Sequence, residues 1–138
     1  ELMKSYKESL KKIEQKINQR LVQDMKINSK SLGKTNVILK RIDNLNLSKL
    51  RGSLDSLKNE LDNLVVILVG SMDEKSTILI SVSDDITATY DARNLLDSLS
   101  KIIGAKGGGK SDFAQAGGPA SDKLDEILIS AEKILTEI

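Results

Sequence analysis

Gly104-Ala-Lys-Gly-Gly-Gly-Lys-Ser-Asp-Phe-Ala-Gln-Ala-Gly-Gly118 is the stretch on which the fold turns. Its first eight residues satisfy G-x-x-x-x-G-K-S/T, the phosphate-binding P-loop pattern, which ends here in Gly109, Lys110 and Ser111. A P-loop leaves a buried strand, turns through its glycines and enters a helix whose first N–H groups and dipole hold phosphate. Neither flank fits. The preceding element reads as a helix ending at Ile103, and the following Ala-Gln-Ala-Gly-Gly-Pro is a poor helix start. No strand-like run follows that could end in an acidic magnesium ligand. A plain surface turn is a weak reading too, because five of the thirteen residues 106–118 are glycine. Each glycine raises the entropy cost of ordering the chain, so the segment is expected to bring its backbone N–H groups close to a phosphate-rich partner.

Outward from this segment, the apolar set Ala92, Leu95, Leu96, Leu99, Ile102 and Ile103 predicts a helix, with Gly104 at the position just past its end. Ser121 or Asp122 opens a last helix carrying Leu124, Ile127, Leu128, Ala131, Ile134 and Leu135. Leu64-Val-Val-Ile-Leu-Val69 is apolar throughout, as in a central strand covered on both faces. A polar turn over 70–76 and a strand over Thr77–Val82 complete an antiparallel hairpin. Leu47, Leu50, Leu54, Leu57 and Leu61 predict a further helix, capped by Asn46 or Ser48, and Asn36–Ile42 a short strand. Asn28–Asn36, with Gly33, reads as a break.

At the front, Leu2, Tyr6, Leu10, Ile13, Ile17, Leu21 and Met25 recur at threes and fours, the stripe of one long amphipathic helix. Such a helix outruns the small domain behind it, so part of its stripe is expected to pack on a partner helix, a second copy or a preceding part of a longer chain. The fold class is α+β: a helical arm over 1–33, then a small mixed α/β domain over 34–138 with a glycine-rich loop.

The 138 residues suit one ordinary domain, and a chain that starts at Glu1 reads as a fragment. Cysteine and histidine are both absent. That excludes thiolate zinc sites, cysteine nucleophiles and every chemistry built on imidazole. Asp73 with Glu74, and Asp84 with Asp85, fall in expected turns and read as solvated ends. No catalytic residue, metal ligand or cofactor is therefore assigned, and no membrane span or secretory leader is read. The net charge of +1 conceals an asymmetry: residues 1–62 hold 14 Lys/Arg against 8 Asp/Glu, and residues 63–138 hold 7 against 12. Lys4, Lys7, Lys11, Lys12 and Lys16 lie largely off the arm's apolar stripe. They either solvate an exposed face or add sequence-independent attraction to an anionic partner.

The run Lys106 to Gly118, between a Leu/Ile-rich helix and a terminal helix, closely resembles the C-terminal domain of alanyl-tRNA synthetase, a member of the DHH-associated class of small α/β modules. Most of the chain follows that family's order. The resemblance implies a non-catalytic, cytoplasmic domain that binds the outer corner of tRNA(Ala). It helps the parent's aminoacylation and editing domains work on one tRNA, and some members use it for dimerisation. On this reading Lys106, Gly107, Gly108, Gly109, Lys110, Asp112, Gln115, Gly117 and Gly118 form the RNA surface, with the arm lysines as accessories. Asp112 and Gln115 either touch base edges and ribose or bond to the segment's own backbone. The family commonly has arginine and proline where Lys110 and Ser111 stand, and methionine at Phe113. Lysine lacks the bidentate fork of arginine, so its phosphate contact is less directional. Two rivals stand beside this: an oligomerisation module driven by the long helix, and a fragment of a DHH phosphodiesterase. The latter class uses a Gly-Gly-His loop, which a chain without histidine cannot supply.

Overall fold

The run that begins at Leu64 is buried at seven successive positions, through Gly70, which requires a sheet covered on both sides. A computed structural model shows this directly; it describes residues 2–27, 29–32, 35–43, 47–87 and 89–137. In chain order the elements are α1 (Leu2–Ile27), β1 (Lys30–Leu32), β2 (Thr35–Arg41), a 3₁₀ turn (Leu47–Leu50) leading into α2 (Arg51–Glu60), β3 (Leu64–Met72) and β4 (Lys75–Val82). A second 3₁₀ turn (Asp84–Ile86), α3 (Ala92–Ser100), β5 (Lys106–Gly109), β6 (Phe113–Pro119) and α4 (Leu124–Glu137) complete the fold. The six strands form one sheet in the order β1-β2-β3-β4-β6-β5. Only β2 and β3 pair in parallel, joined by the α2 crossover; the other neighbours are antiparallel.

Alternation along each strand divides the core in two. Val65, Ile67 and Val69 of β3, with Ile78, Ile80 and Val82 of β4, pack beneath Leu95, Leu96 and Leu99 of α3 and Ile127, Ala131 and Leu135 of α4. Leu64, Val66 and Leu68, with Leu79, face the other way onto Leu50, Leu54 and Leu57. Leu21 near the end of α1 is half-buried against this second cluster.

The α+β architecture and the helical arm match the sequence reading, and several local expectations are corrected. The segment over 106–118 is a hairpin of β5 and β6 and not a loop. Its small residues are weak strand formers, but the exposed edge of β4 provides seven pairing positions, from Lys75↔Pro119 to Ser81↔Phe113, and this tertiary pairing overrides local propensity. The break over 28–36 contains β1, which pairs with the start of β2. The helix over 47–61 starts as a 3₁₀ turn, and α2 follows Leu50 without a side-chain cap; Asn46 lies outside the described residues. The polar turn over 70–76 contracts to Asp73–Glu74, both at positive φ (52° and 63°). This is the type I′ geometry, whose twist matches that of the flanking strands. The helix expected over 92–103 ends at Ser100 and turns to Gly104 at φ 67°. Its N-cap is Asp91, which accepts from Arg93 N–H (2.9 Å) and Asn94 N–H (3.1 Å). At the last helix, Ser121 Oγ accepts from Lys123 N–H (3.1 Å).

Two carboxylates tie strand ends together. Asp43 accepts from Ser71 N–H (3.0 Å) and from Arg41 Nε (3.2 Å), while the other arm of Arg41 reaches Asp125 at the start of α4 (3.2 Å). Asp85 accepts from Ser83 Oγ–H and from Asn63 N–H (3.1 Å), and Ser83 Oγ itself accepts from Leu64 N–H (2.9 Å). The Ser71 amide bond, followed by the Arg41 bond, holds Asp43 below the usual carboxylate range; the Ser83 hydroxyl bond does the same for Asp85.

Two predictions follow from these local geometries. Glu74→Gly relieves a left-handed non-glycine residue and should raise stability by about 1 kcal/mol, or about 4 °C in Tm by calorimetry. For the carboxylates, the folded pKa is depressed, so their stabilisation is complete above the unfolded value of about 3.9 and is lost as pH falls through the folded value. Asp85→Asn should lower the urea midpoint at pH 7, and its deficit against the parent should close progressively below about pH 4.

Candidate nucleic-acid interface

The glycine hairpin lies at the free edge of the sheet, and register fixes which of its residues share a face. Ala114 and Ala116 sit opposite Ile80 and Ile78 and are buried with them beneath the α3 and α4 side chains. Phe113, Gln115 and Gly117 therefore take the α2 side, as do Gly108 and Lys106, which pair with Gln115 and Gly117. On that side α2 covers Leu79 completely and Phe113 only in part. Beyond Phe113, Lys106, Gly108 and Gly117 are exposed and Gln115 is half-buried. Among the described residues the sheet is thus covered twice over β2 to β4 and once over β6, while all four residues of β5 are exposed. This leaves a small open face with two glycines in its floor.

The three consecutive glycines have different jobs. A Cβ on Gly107 would stand 2.1 Å from Gln115 O and 2.5 Å from Ala116 Cα; one on Gly109 would stand 2.3 Å from Phe113 O. Both are required by the close approach of β5 to β6. Gly108 has nothing within 4 Å of its Cβ position, so packing does not require glycine there. Lys110 N–H donates to Phe113 O at 2.7 Å, so the Phe113 carbonyl faces β5. By antiparallel alternation, the N–H and C=O of Gly107 and Gly109 then turn to the free edge, and those of Gly108 turn inward to β6. Of the three consecutive glycine N–H groups, those of Gly107 and Gly109 thus face outward, with that of Gly108 turned inward between them. Gly118 abuts Ala105, with its Cβ position 2.9 Å from Ala105 Cα, whereas Gly117 is not crowded.

The hairpin tip is anchored. Ser111 O accepts from Ala92 N–H (2.9 Å), and Asp112 O accepts from Val82 N–H (2.8 Å) and from Lys58 Nζ (3.3 Å). The ties of residue 112 thus run through its carbonyl. Lys110 is exposed at this tip. Because the glycines form a strand and Lys110 sits on a hairpin turn, there is no helix N-terminus for a P-loop to enter.

Two residues that sequence reasoning missed belong to the site. Lys58 holds the tip from α2, and the Arg51 guanidinium carbon lies 4.2 Å from the centre of the Phe113 ring. No spacing rule links residues 62 positions apart, so only the fold could reveal the second contact.

The arm lysines lie on a different element. Lys4, Lys7, Lys11, Lys12 and Lys16 are exposed on α1, which packs against α2 and β2. In the sheet order β2 is four strand spacings from β5, about 19 Å. Met3, Tyr6, Leu10, Ile13 and Ile17 of the same helix are 48% to 74% exposed.

Comparison with known proteins gives this geometry its context. A family model described as the DHHA1 domain matches residues 34–137. An alanine–tRNA ligase from Chromohalobacter salexigens is 32% identical over 127 residues, which are 92% of this chain and 15% of that protein. Its counterpart from Nitrosomonas europaea is 38% identical over 94 residues, 68% of this chain and 11% of that protein. The chain therefore spans only a small part of these relatives. Among solved structures, the C-Ala domain from Aquifex aeolicus alanyl-tRNA synthetase superposes with a TM-score of 0.71 at 26% identity, covering 79% of this chain and 98% of that one. A DHH-domain protein described as a member of the s1p family of ribosomal proteins shares the fold, with a TM-score of 0.60 at 15% identity. Matched across residues 34–137, with its sheet, glycine hairpin and closing helix in place, the chain belongs to the DHHA1 domain family.

Proposed function

We propose that this chain is the tRNA-binding C-terminal domain of an alanine–tRNA ligase and that it meets tRNA(Ala) through the open face and free edge of the β5–β6 hairpin. The observation that carries this reading is the uncovered, glycine-floored sheet face flanked by Lys106 and Lys110, in a chain whose curated relatives are alanine–tRNA ligases. A floor without side chains lets a sugar–phosphate backbone or a base plane come close, and the outward N–H groups of Gly107 and Gly109 supply donors without side-chain entropy. Lys106 and Lys110 supply the charge. Gln115 stands where it can meet a ribose hydroxyl or a base edge, and Gly117 leaves room beside it. Gly118 supports the hairpin from behind, and Asp112 holds its tip. Contact with the tRNA elbow would let this domain help aminoacylation and editing act on one bound tRNA. The domain itself does no chemistry and needs no cofactor.

The arm over 1–33 supports a second role beside the first. Met3, Tyr6, Leu10, Ile13 and Ile17 follow the three-four spacing of a coiled-coil seam and are exposed. This stripe suits a second copy of the chain or the parent's preceding domains, with Lys4, Lys7, Lys11, Lys12 and Lys16 left to add salt-sensitive attraction for RNA. Sedimentation equilibrium of the chain and of Leu10→Glu/Ile13→Glu tests the pairing. A self-associating parent and a monomeric variant are expected; a parent that stays monomeric at high concentration removes the second copy as the occupant.

Titration of labelled tRNA(Ala) tests the hairpin. Gly108→Val adds a side chain where nothing crowds it, so the urea midpoint should hold while affinity falls at least tenfold. Lys110→Ala should weaken binding roughly fivefold and flatten the salt dependence. Gly107→Ala forces β5 from β6 and should lower stability by about 2 kcal/mol or more. If Gly108→Val and Lys110→Ala both bind like the parent, the hairpin is not the RNA surface.

A further inference from the structure

We infer that Arg51 is a phosphate-contacting residue of the same RNA surface, its guanidinium presented in a set orientation by the ring of Phe113. The inference rests on the hairpin reading above and adds a contact from a different element. Arg51 opens α2, and its guanidinium carbon stands 4.2 Å from the Phe113 ring centre. That is stacking distance for a cation on an aromatic face. Phe113 lies on the α2 side of β6, in line with Gln115 and Gly117, so the stacked guanidinium borders the open face.

Three other basic side chains are matched with carboxylates. Arg41 is bound by Asp43 and Asp125, Lys30 by Glu132 and Lys58 by Asp55. Among the described residues Arg51 has no such carboxylate, its helix carries no acidic residue in the first turn, and its side chain is exposed. Asp55 of α2 is paired with Lys58, and an exposed guanidinium without a carboxylate partner at the rim of the open face suits an anion from outside the chain.

The ring settles which kind of contact this is. A guanidinium lying parallel to the Phe113 ring would keep its N–H groups in the plane of the stack, away from the ring. That geometry offers two parallel donors to a phosphate oxygen pair and leaves little rotamer freedom to be lost on binding. Lys110 at the hairpin tip is a mobile point charge by comparison. Arg51 would therefore supply direction, and Lys106 and Lys110 would supply general attraction.

The test is titration of a tRNA(Ala) transcript at several salt concentrations, with urea midpoints for every variant. Arg51→Ala should weaken binding roughly tenfold and reduce the log–log salt slope by about 0.7 to 0.9, the loss of one phosphate contact. Arg51→Lys should keep the slope and still weaken binding about threefold. Phe113→Leu should weaken binding, and adding it to Arg51→Ala should cause no further loss, because the ring acts through the guanidinium. Parent-like binding and slope for Arg51→Ala, with Lys110→Ala impaired, would overturn the Arg51 role and leave the hairpin reading standing. Parent-like binding by Arg51→Ala, Lys110→Ala and Gly108→Val together would sink the hairpin reading itself. Parent-like binding by Arg51→Lys would replace the stacked fork with a simple charge. A weakened Arg51→Ala with an unchanged slope and a lowered urea midpoint would make the residue structural only.

Discussion

The constraint on which everything else rests is that β3 is buried on both faces. Seven successive residues from Leu64 to Gly70 are buried, so the chain must supply a cover for each side of the sheet. α3 and α4 furnish one and α2 the other. With about 1.5–3 kcal/mol from each large apolar side chain taken out of water, this double burial is the largest source of stability that the residues can offer. It also sets where the sheet can end. Strands near β3 must be apolar and covered, and those far from it need not be.

The functional surface is what remains once that cover is spent. α2 contributes ten residues and reaches from Ile38 across to Leu79 and part of Phe113. Past that line no described residue forms a layer above β6 and β5 on this side, and their residues there leave no large apolar side chain exposed: glycine, glutamine and lysine. Ala114 and Ala116 belong to the covered side, where small side chains let α3 sit close to the sheet. Residue alternation along β6 therefore separates two demands, packing below and recognition above. The edge strand β5 obeys a similar rule, with Lys106 at the start of a four-residue glycine-rich strand and Lys110 just past its end, which guards an open edge against pairing with another sheet.

The glycines also show how one composition can hide two causes. Read along the chain, all five in 106–118 look like sites for an approaching ligand. In three dimensions Gly107 and Gly109 are explained by the backbone of β6, and Gly118 by Ala105, whereas Gly108 and Gly117 face outward uncrowded. The sequence signal was real, because close approach was indeed the reason for glycine. The approaching group was the chain itself in three of the five cases.

Apolar periodicity by itself determined the helices, the doubly buried strand at Leu64 and the arm that outruns its domain, because burial period is a local property of the residues. The run from Lys106 to Gly118 determined the family for the same reason, as a continuous string of residue types. Tertiary structure alone decided that this run is a hairpin, since weak strand formers take extended pairing only when a neighbour such as β4 presents unpaired backbone groups. It alone placed Arg51 on Phe113 and Lys58 on the hairpin tip. These are relations between residues far apart in sequence, created when the two faces of β3 draw their covers from different parts of the chain.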